Sequence, residues 1–274
     1  MTNASPYPTL PQAWGIFGLY IGFSLGIGLF IGIIYELTGL NNIPLANLLG
    51  YTITGILILL FVWIKKRTSE PGEALVHFGT MPVSISFLIL LLTISTVITI
   101  DPLSNLIPMP EIMEEIFGLI LQKSVFNLVL LVIIGPIIEE ILLRGVILDG
   151  FLRRYSPFKS IFWSSLIFGL LHLNPWQFIG ALIIGLLMGY IYWKTRSLIA
   201  CIFIHMVNNG IAYLLSYLYD SEIVTFAELF DSRRDYLIVY FMSIGMTLLL
   251  FLTLQQVLTR QKENVWKNGD SSDF

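Results

Sequence analysis

The sequence predicts an all-α, polytopic membrane protein, a bundle of about eight transmembrane helices with both termini in the cytoplasm. Three observations predict this class. Apolar and aromatic residues make up 56% of the 274 residues, whereas Asp, Glu, Lys and Arg together make up only 12%, about half the charged fraction of a soluble domain. Apolar runs recur at roughly the length that crosses a hydrocarbon core. The basic residues cluster at alternate connections between these runs.

The apolar runs define the predicted elements in chain order. The predicted spans are residues 14–35, 43–64, 83–100, 124–148, 158–173, 176–193, 197–219 and 236–259. Between the third and fourth spans, Ile112, Ile116 and Leu119 share a helical face opposite Glu111, Glu114 and Glu115, which predicts an interfacial helix on the outer side. Residues 220–235 form a polar outer loop.

These elements divide the chain into three parts. Residues 1–123 hold the N-terminal transmembrane helices and the outer interfacial helix. Residues 124–219 hold a core of four helices. Residues 220–274 hold the outer loop, the last transmembrane helix and a cytoplasmic tail.

The basic residues predict the topology. Eleven of the fifteen fall at even-numbered connections or in the C-terminal tail: Lys65, Lys66, Arg67, Arg153, Arg154, Lys159, Lys194, Arg196, Arg260, Lys262 and Lys267. The positive-inside rule therefore places both termini in the cytoplasm of a multi-pass protein of the cell (inner) membrane. A net charge of −3 gives no basic field for a nucleic-acid partner. The expected partners are the lipid bilayer and a peptide or membrane-protein substrate, and the oligomeric state stays open.

Glycines recur at helical spacing in two spans. The first span carries Gly18, Gly22 and Gly26, and the sixth carries Gly185 and Gly189. Small residues let helix backbones approach closely in lipid. We expect both sets to pack within the bundle rather than to form a dimer interface.

Charged residues interrupt the fourth span, at Glu139, Glu140 and Arg144. Each ionised side chain at a helix centre costs about 2.5 to 3.5 kcal/mol. Glu140 and Arg144 are four residues apart on one face, where they can form an ion pair, whether structural or catalytic. Glu139 points about 100 degrees away. Pro136 removes a backbone donor and frees a carbonyl beside this carboxylate.

Two intramembrane histidines follow, His172 at the end of the fifth span and His205 in the seventh, where Asn209 shares its helix face. At about 1.5 Å per residue, Glu139 and His205 lie at similar depth, nearer the cytoplasmic side. We therefore expect them to meet and the site to open toward the cytoplasm. His172 can reach them only if the turn at Asn174 and Pro175 is buried in the bundle.

These groups suit water-mediated hydrolysis. A carboxylate and an imidazole can activate one water as a general base, and a His and an Asn on one helix face can stabilise an oxyanion. In a second hypothesis, Glu139, His172 and His205 are the ligands of a catalytic zinc ion. A third makes the cluster a proton or ion relay, although the chain has no matching halves with broken helices. One cysteine, Cys201, excludes a cysteine-rich metal module.

The ordered motifs Glu139-Glu140-x-x-x-Arg144, Phe168-x-x-x-His172 and His205-x-x-x-Asn209 resemble those of the CPBP family, also called Abi. This family contains type II CAAX prenyl endopeptidases, bacteriocin-processing enzymes and bacteriocin self-immunity proteins. The resemblance covers about residues 124–219 and implies an intramembrane endopeptidase of the glutamate type.

The resemblance also implies roles for the motif residues. Glu139 and His172 are implied to activate the water, His205 and Asn209 to form the oxyanion hole, and Glu140 with Arg144 to support the site. Family members are often labelled metalloproteases, but this mechanism requires no cofactor, and Zn²⁺ is the alternative. A non-catalytic immunity or scaffold protein with the same bundle is the rival of another class.

Overall fold

The computed structural model describes residues 6–40, 42–104, 110, 112–113, 118, 122–219 and 225–268. All regular elements within these ranges are helical, which confirms the predicted all-α class. The main helices are α1 (Leu10–Thr38), α2 (Ile43–Ser69), α3 (Val83–Ser104), α4 (Val125–Leu152), α5 (Pro157–Leu171), α6 (Pro175–Thr195), α7 (Leu198–Tyr219) and α8 (Arg233–Asn268). A short 3-10 turn at Phe226–Leu229 precedes α8.

Seven of these helices are long and apolar enough to cross a membrane, so the chain is an integral, multi-pass membrane protein. The exception is α5, which has only 15 residues and is about 22 Å long. The predicted fifth span is therefore apolar but shorter than a full membrane crossing. Of the predicted interfacial helix, Ile112 is described, whereas Glu111, Glu114, Glu115, Ile116 and Leu119 lie outside the described residues.

Local sequence signals account for several helix ends. Thr9 caps α1 by accepting the backbone N–H of Gln12, whose side chain accepts the N–H of Thr9 in return. The side chains of Asn42 and Asn174 cap α2 and α6 by accepting the backbone N–H three residues later, and each helix has a proline in its first turn. Gly39 ends α1 with a φ of 68°, a left-handed conformation that glycine adopts without steric cost.

The centre of the bundle is α4, which contacts α2, α5, α6 and α7. Its second half is buried on all sides, from Leu142 through Leu148. The outer helices pair around it, α1 with α2 and α8 with α3, while α5 packs most extensively against α6. Large apolar side chains on the outer faces, such as Leu25, Leu29 and Phe30 of α1, are exposed, as expected where the solvent is lipid.

Predicted cytoplasmic connections meet at one end of the bundle. Arg153, after α4, donates to Glu70, after α2, at 2.7 Å, and Glu70 also accepts the backbone N–H of Tyr7. Arg196, after α6, lies 3.2 Å from Asp149. The residues before α1 and after three even-numbered helices therefore lie together, as the predicted topology requires. We call this end the basic end.

The contacts at the basic end lower the pKa of the Glu70 carboxyl group. Burial raises the pKa of Glu70, but the hydrogen bonds from Arg153 and from the Tyr7 backbone outweigh burial, so its pKa lies below the ordinary value. Glu70 therefore stays ionised at neutral pH and ties the N-terminal segment to the α4–α5 connection.

The two sets of glycines behave differently. A Cβ at Gly185 would approach Phe168, Ser165 and Arg144 within 3.3 Å, and one at Gly189 would meet Ile161 at 2.9 Å, so their predicted packing is confirmed. The expectation for Gly18, Gly22 and Gly26 is wrong. These residues are exposed, and a Cβ at each would meet nothing within 4 Å, because α1 packs through Ala13, Ile16 and Tyr20 instead.

Candidate active site

The site is built on an irregular stretch of α4. Wide π-helical turns at Val129–Ile134 and Ile141–Leu148 flank the segment Gly135–Glu140. Such turns occur often at functional sites. The N–H of Gly135 bonds to the carbonyl of Leu130, five residues earlier. In this pattern the next donor would come from residue 136, but Pro136 has no N–H.

The Leu131 carbonyl instead accepts a hydrogen bond from Nδ2 of Asn209, at 2.9 Å. The side-chain oxygen of Asn209 accepts from Asn208 at 2.9 Å. Asn209 is thus oriented by its neighbour in α7 and by the carbonyl that Pro136 leaves without a helical partner. One N–H of its amide is used in this contact, and the second is available for another acceptor.

The predicted ion pair between Glu140 and Arg144 is confirmed. Nη1 of Arg144 donates to Oε1 of Glu140 at 2.8 Å, and both side chains are fully buried. The guanidinium also donates to the Gly185 carbonyl at 3.3 Å and lies 4.6 Å from the ring centroid of Phe168. Hydrogen bonds and a cation–π contact together offset the cost of removing these charges from water.

His205 lies between the two adjacent glutamates. Its Nδ1 is 2.8 Å from Oε1 of Glu140, and its Nε2 is 3.9 Å from Oε2 of Glu139. Because an ionised carboxylate only accepts hydrogen bonds, the contact with Glu140 places the ring hydrogen of His205 on Nδ1. The other nitrogen, Nε2, is thereby directed at Glu139.

The two carboxylate oxygens of Glu139 have different surroundings. Oε1 accepts a hydrogen bond from the hydroxyl of Tyr51. Oε2 is buried without a hydrogen-bond partner in the protein and is the oxygen that faces His205. The side chain as a whole keeps 17% exposure, because it borders a cavity.

This cavity has a volume of about 630 Å³ and lies between α1, α2, α4 and α7. Seven lining residues have polar side chains: Ser24, Tyr35, Asn47, Tyr51, Thr54, Glu139 and Asn209. The others are apolar or glycine: Gly28, Ile31, Gly32, Ile43, Ala46, Gly50, Leu130, Leu131 and Gly135. Such a lining, apolar with several polar groups, suits a ligand pocket.

The cavity extends away from the basic end, so under the predicted topology it does not open toward the cytoplasm as expected. Its lining residues come from the second half of α1 and from the first halves of α2 and α4. These halves adjoin the α1–α2 turn. Depth along the helices located Glu139 and His205 correctly near each other, but it carries no information about which side of them is open.

The segment that carries these residues is similar to known proteins. Residues 121–211 match the family model of type II CAAX prenyl endopeptidase Rce1-like proteins. This segment, about a third of the chain, is similar to the Rce1-like family. A relative from Bacillus subtilis (strain 168), named "Putative membrane peptidase YdiL", is 25% identical over 96 residues, which are 35% of this chain and 39% of the relative. The predicted resemblance to the CPBP family is thus confirmed. No solved structure matches the chain.

His172, within the matched segment, lies at the C-terminal end of α5. Its Nδ1 is 3.0 Å from the Phe168 carbonyl. The Phe168 ring contacts the rings of both His172 and His205, at centroid distances of 5.2 Å. Within the described residues, the imidazole paired with Glu139 is His205. The turn after His172 is not enclosed as we expected, since Leu173 is 65% exposed.

Within the part of the chain that the structure describes, no three His, Cys, Asp or Glu side chains are placed to hold a metal ion. Nδ1 of His205 is engaged by Glu140, and Nδ1 of His172 lies beside the Phe168 carbonyl. Zinc binding by Glu139, His172 and His205 stays a prediction.

Sequence reasoning missed Tyr51, although this residue bonds to the carboxylate of Glu139. It lies in α2, 88 residues before Glu139, outside the matched segment. The signal in the sequence is one tyrosine in a mainly apolar run that also holds Asn47, Thr52 and Thr54. Nothing in that run distinguishes Tyr51 from its polar neighbours, so the contact could not have been predicted.

Proposed function

We propose that the protein is an intramembrane endopeptidase of the CPBP type, in which Glu139 acts as the general base. The observation that carries the proposal is the facing pair of Oε2 of Glu139 and Nε2 of His205, 3.9 Å apart, at the wall of the cavity. A water molecule with hydrogen bonds of about 2.8 Å to both atoms fits this separation.

In the proposed reaction, this water attacks the carbonyl carbon of a peptide bond while Glu139 takes its proton. The tetrahedral intermediate carries a negative oxygen, for which the second N–H of Asn209 is the proposed donor. His205 is the proposed second donor in its doubly protonated form, in which Nε2 also carries a hydrogen. Glu139 then returns the proton to the leaving nitrogen as the carbon–nitrogen bond breaks. One water is consumed, and an acid and an amine are formed.

Glu140 and Arg144 support this site in the proposal. Glu140 fixes the orientation of the His205 ring, and Arg144 balances its charge in the dry interior. Without Arg144, the two adjacent carboxylates beside His205 would have no arginine to balance their charge. The contact distances favour His205 over His172 as the neighbour of the attacking water. His172 keeps the base-partner role only as an implication of the family resemblance.

The cavity lining supports an apolar peptide segment as the substrate. A mainly apolar wall accepts hydrophobic side chains or a membrane segment and disfavours charged ones. If the predicted topology holds, the substrate enters from the outer half of the bilayer. The basic end lies on the other side.

The proposal is tested by comparing membranes from cells that carry the native protein or Glu139→Gln. Peptides from both are profiled by mass spectrometry, and a quenched fluorogenic peptide is built on any cleavage site that differs. Purified protein in lipid nanodiscs should cleave this reporter, whereas Glu139→Gln should not. The control Glu36→Gln makes the same chemical change at an exposed position of α1 and should retain cleavage.

The rival hypotheses give different results. A non-catalytic immunity or scaffold protein would keep its biological effect in Glu139→Gln and would release no peptide. A zinc enzyme would contain stoichiometric zinc by elemental analysis and would lose cleavage on chelation. We expect neither result.

A further inference from the structure

Tyr51 is a polar group that the proposed reaction does not use. Its hydroxyl donates to Oε1 of Glu139 from the neighbouring helix α2, and its side chain forms part of the cavity wall. The Tyr20 hydroxyl of α1 lies beside it. Tyr20 of α1 thus contacts the hydroxyl of α2 that bonds to the carboxylate of α4.

This contact differs from those of two nearby hydroxyls, which bond to backbone carbonyls. Thr52, next to Tyr51, bonds to the backbone carbonyl four residues earlier, at 2.7 Å. Tyr35, which lines the same cavity, bonds to the Asn42 carbonyl at 2.8 Å. A hydroxyl in lipid requires some acceptor, and these two use the backbone. Tyr51 instead bonds to the carboxylate of Glu139.

A glutamate carboxylate rotates easily about its terminal bond, which exchanges its two oxygens. A donor on Oε1 prevents this exchange and leaves Oε2 directed at Nε2 of His205. We infer that Tyr51 is a positioning residue for Glu139, which selects the oxygen that takes the proton from water. This inference rests on the proposed role of Glu139 and adds to the site a residue from outside the matched core.

The first experiment does not depend on catalysis. Dicyclohexylcarbodiimide, an apolar reagent that attacks protonated carboxyl groups, is added to the protein in lipid nanodiscs, and labelling of Glu139 is followed by mass spectrometry. Removing a donor from a carboxylate favours its protonated form. We expect Tyr51→Phe to increase the labelling rate about tenfold. Thr52→Val, which removes a hydroxyl next to Tyr51 that is not part of the cavity lining, should leave the rate unchanged, and Glu139→Gln removes the labelled peptide.

The second experiment measures turnover of the fluorogenic peptide. A small displacement of a catalytic base lowers the rate of the chemical step about 10- to 100-fold. Tyr51→Phe should therefore lower kcat by this factor while KM changes less than about twofold. A change confined to KM would instead indicate contact with the substrate and would overturn the inference.

A third variant keeps the aromatic ring and the hydroxyl. With 3-fluorotyrosine at position 51, the more acidic hydroxyl should slow labelling below the native rate and keep kcat near native. The 3-fluorotyrosine variant tests the positioning role of Tyr51 even if Tyr51→Phe fails to fold. Equal labelling in all three proteins would refute the positioning role alone. Cleavage that survives in Glu139→Gln would refute the proposed function and leave the labelling result standing.

Discussion

Nδ1 of His205 lies 2.8 Å from Oε1 of Glu140, the same oxygen that receives Nη1 of Arg144 at 2.8 Å. One fully buried atom therefore links α4 to α7 and fixes the orientation of the imidazole. Because the other ring nitrogen then faces Glu139, a contact that holds the bundle together also sets the geometry of the site. Changes in this network should affect stability and activity together.

Arg144→Ala should lower the free energy of unfolding by about 3 to 5 kcal/mol, since it leaves a buried charge on Glu140 without its partner. Unfolding of the purified protein by denaturant in mixed micelles measures the change. Arg196→Ala is the control. That arginine is 50% exposed beside Asp149, so its loss should cost no more than about 1 kcal/mol.

A double variant separates stability from chemistry at the same pair. Glu140→Leu combined with Arg144→Leu removes both charges, so the fold should regain much of the stability that Arg144→Ala loses. Cleavage should stay low, because His205 loses the carboxylate that orients it. A double variant with native activity would contradict the role given to Glu140.

Pro136→Ala supplies a backbone N–H at the position where Pro136 has none. This donor should bond to a carbonyl of the wide turn and compete with Asn209 for the Leu131 carbonyl. Because the proline ring no longer disturbs the helix, the melting temperature should stay equal or rise. We expect kcat to fall about 10- to 100-fold as Asn209 loses its orientation. Kinetics of the fluorogenic peptide and a thermal melt check both parts. Pro175→Ala, in the first turn of α6, is the control and should keep native kcat.

Gly28→Leu should fill the cavity without disturbing the fold. Gly28 lines the cavity, and a Cβ there meets nothing within 4 Å. The leucine should raise KM or abolish cleavage and should slow carbodiimide labelling of Glu139, with an unchanged melting temperature. Gly26→Leu is matched to it on the same helix, since its surroundings are equally open but it is not part of the lining. Equal losses in both variants would argue against the cavity as the substrate site.

Acid should weaken the basic end through Glu70. Its pKa is lower in the folded protein than in the unfolded chain, so its contribution to stability is complete above the unfolded value of about 4.3. This contribution is lost as the pH falls through the folded pKa. The melting temperature of the native protein should therefore drop between about pH 5 and pH 3. Glu70→Gln should melt lower at neutral pH and show a smaller drop.

Some features of the site follow from local spacing and were predictable. Glu140 and Arg144 are four residues apart, so any helix brings them together. Pro136 must leave a carbonyl without its helical partner wherever the helix continues past it. Similar depth along antiparallel helices was enough to predict that Glu139 and His205 meet. The turn after His172 was not predictable, because a short α5 ends at the bundle surface.

The sequence by itself determined the bundle, the helix order and the identity of the charged groups, because hydropathy and spacing within one helix are local properties. Only the tertiary structure decided that Tyr51 bonds to Glu139, that His205 lies between both glutamates and that the cavity lies beside the α1–α2 turn. Each of these depends on the packing and rotation of helices far apart in the chain. Hydropathy gives the length of a transmembrane helix but leaves its rotation and tilt to its packed neighbours.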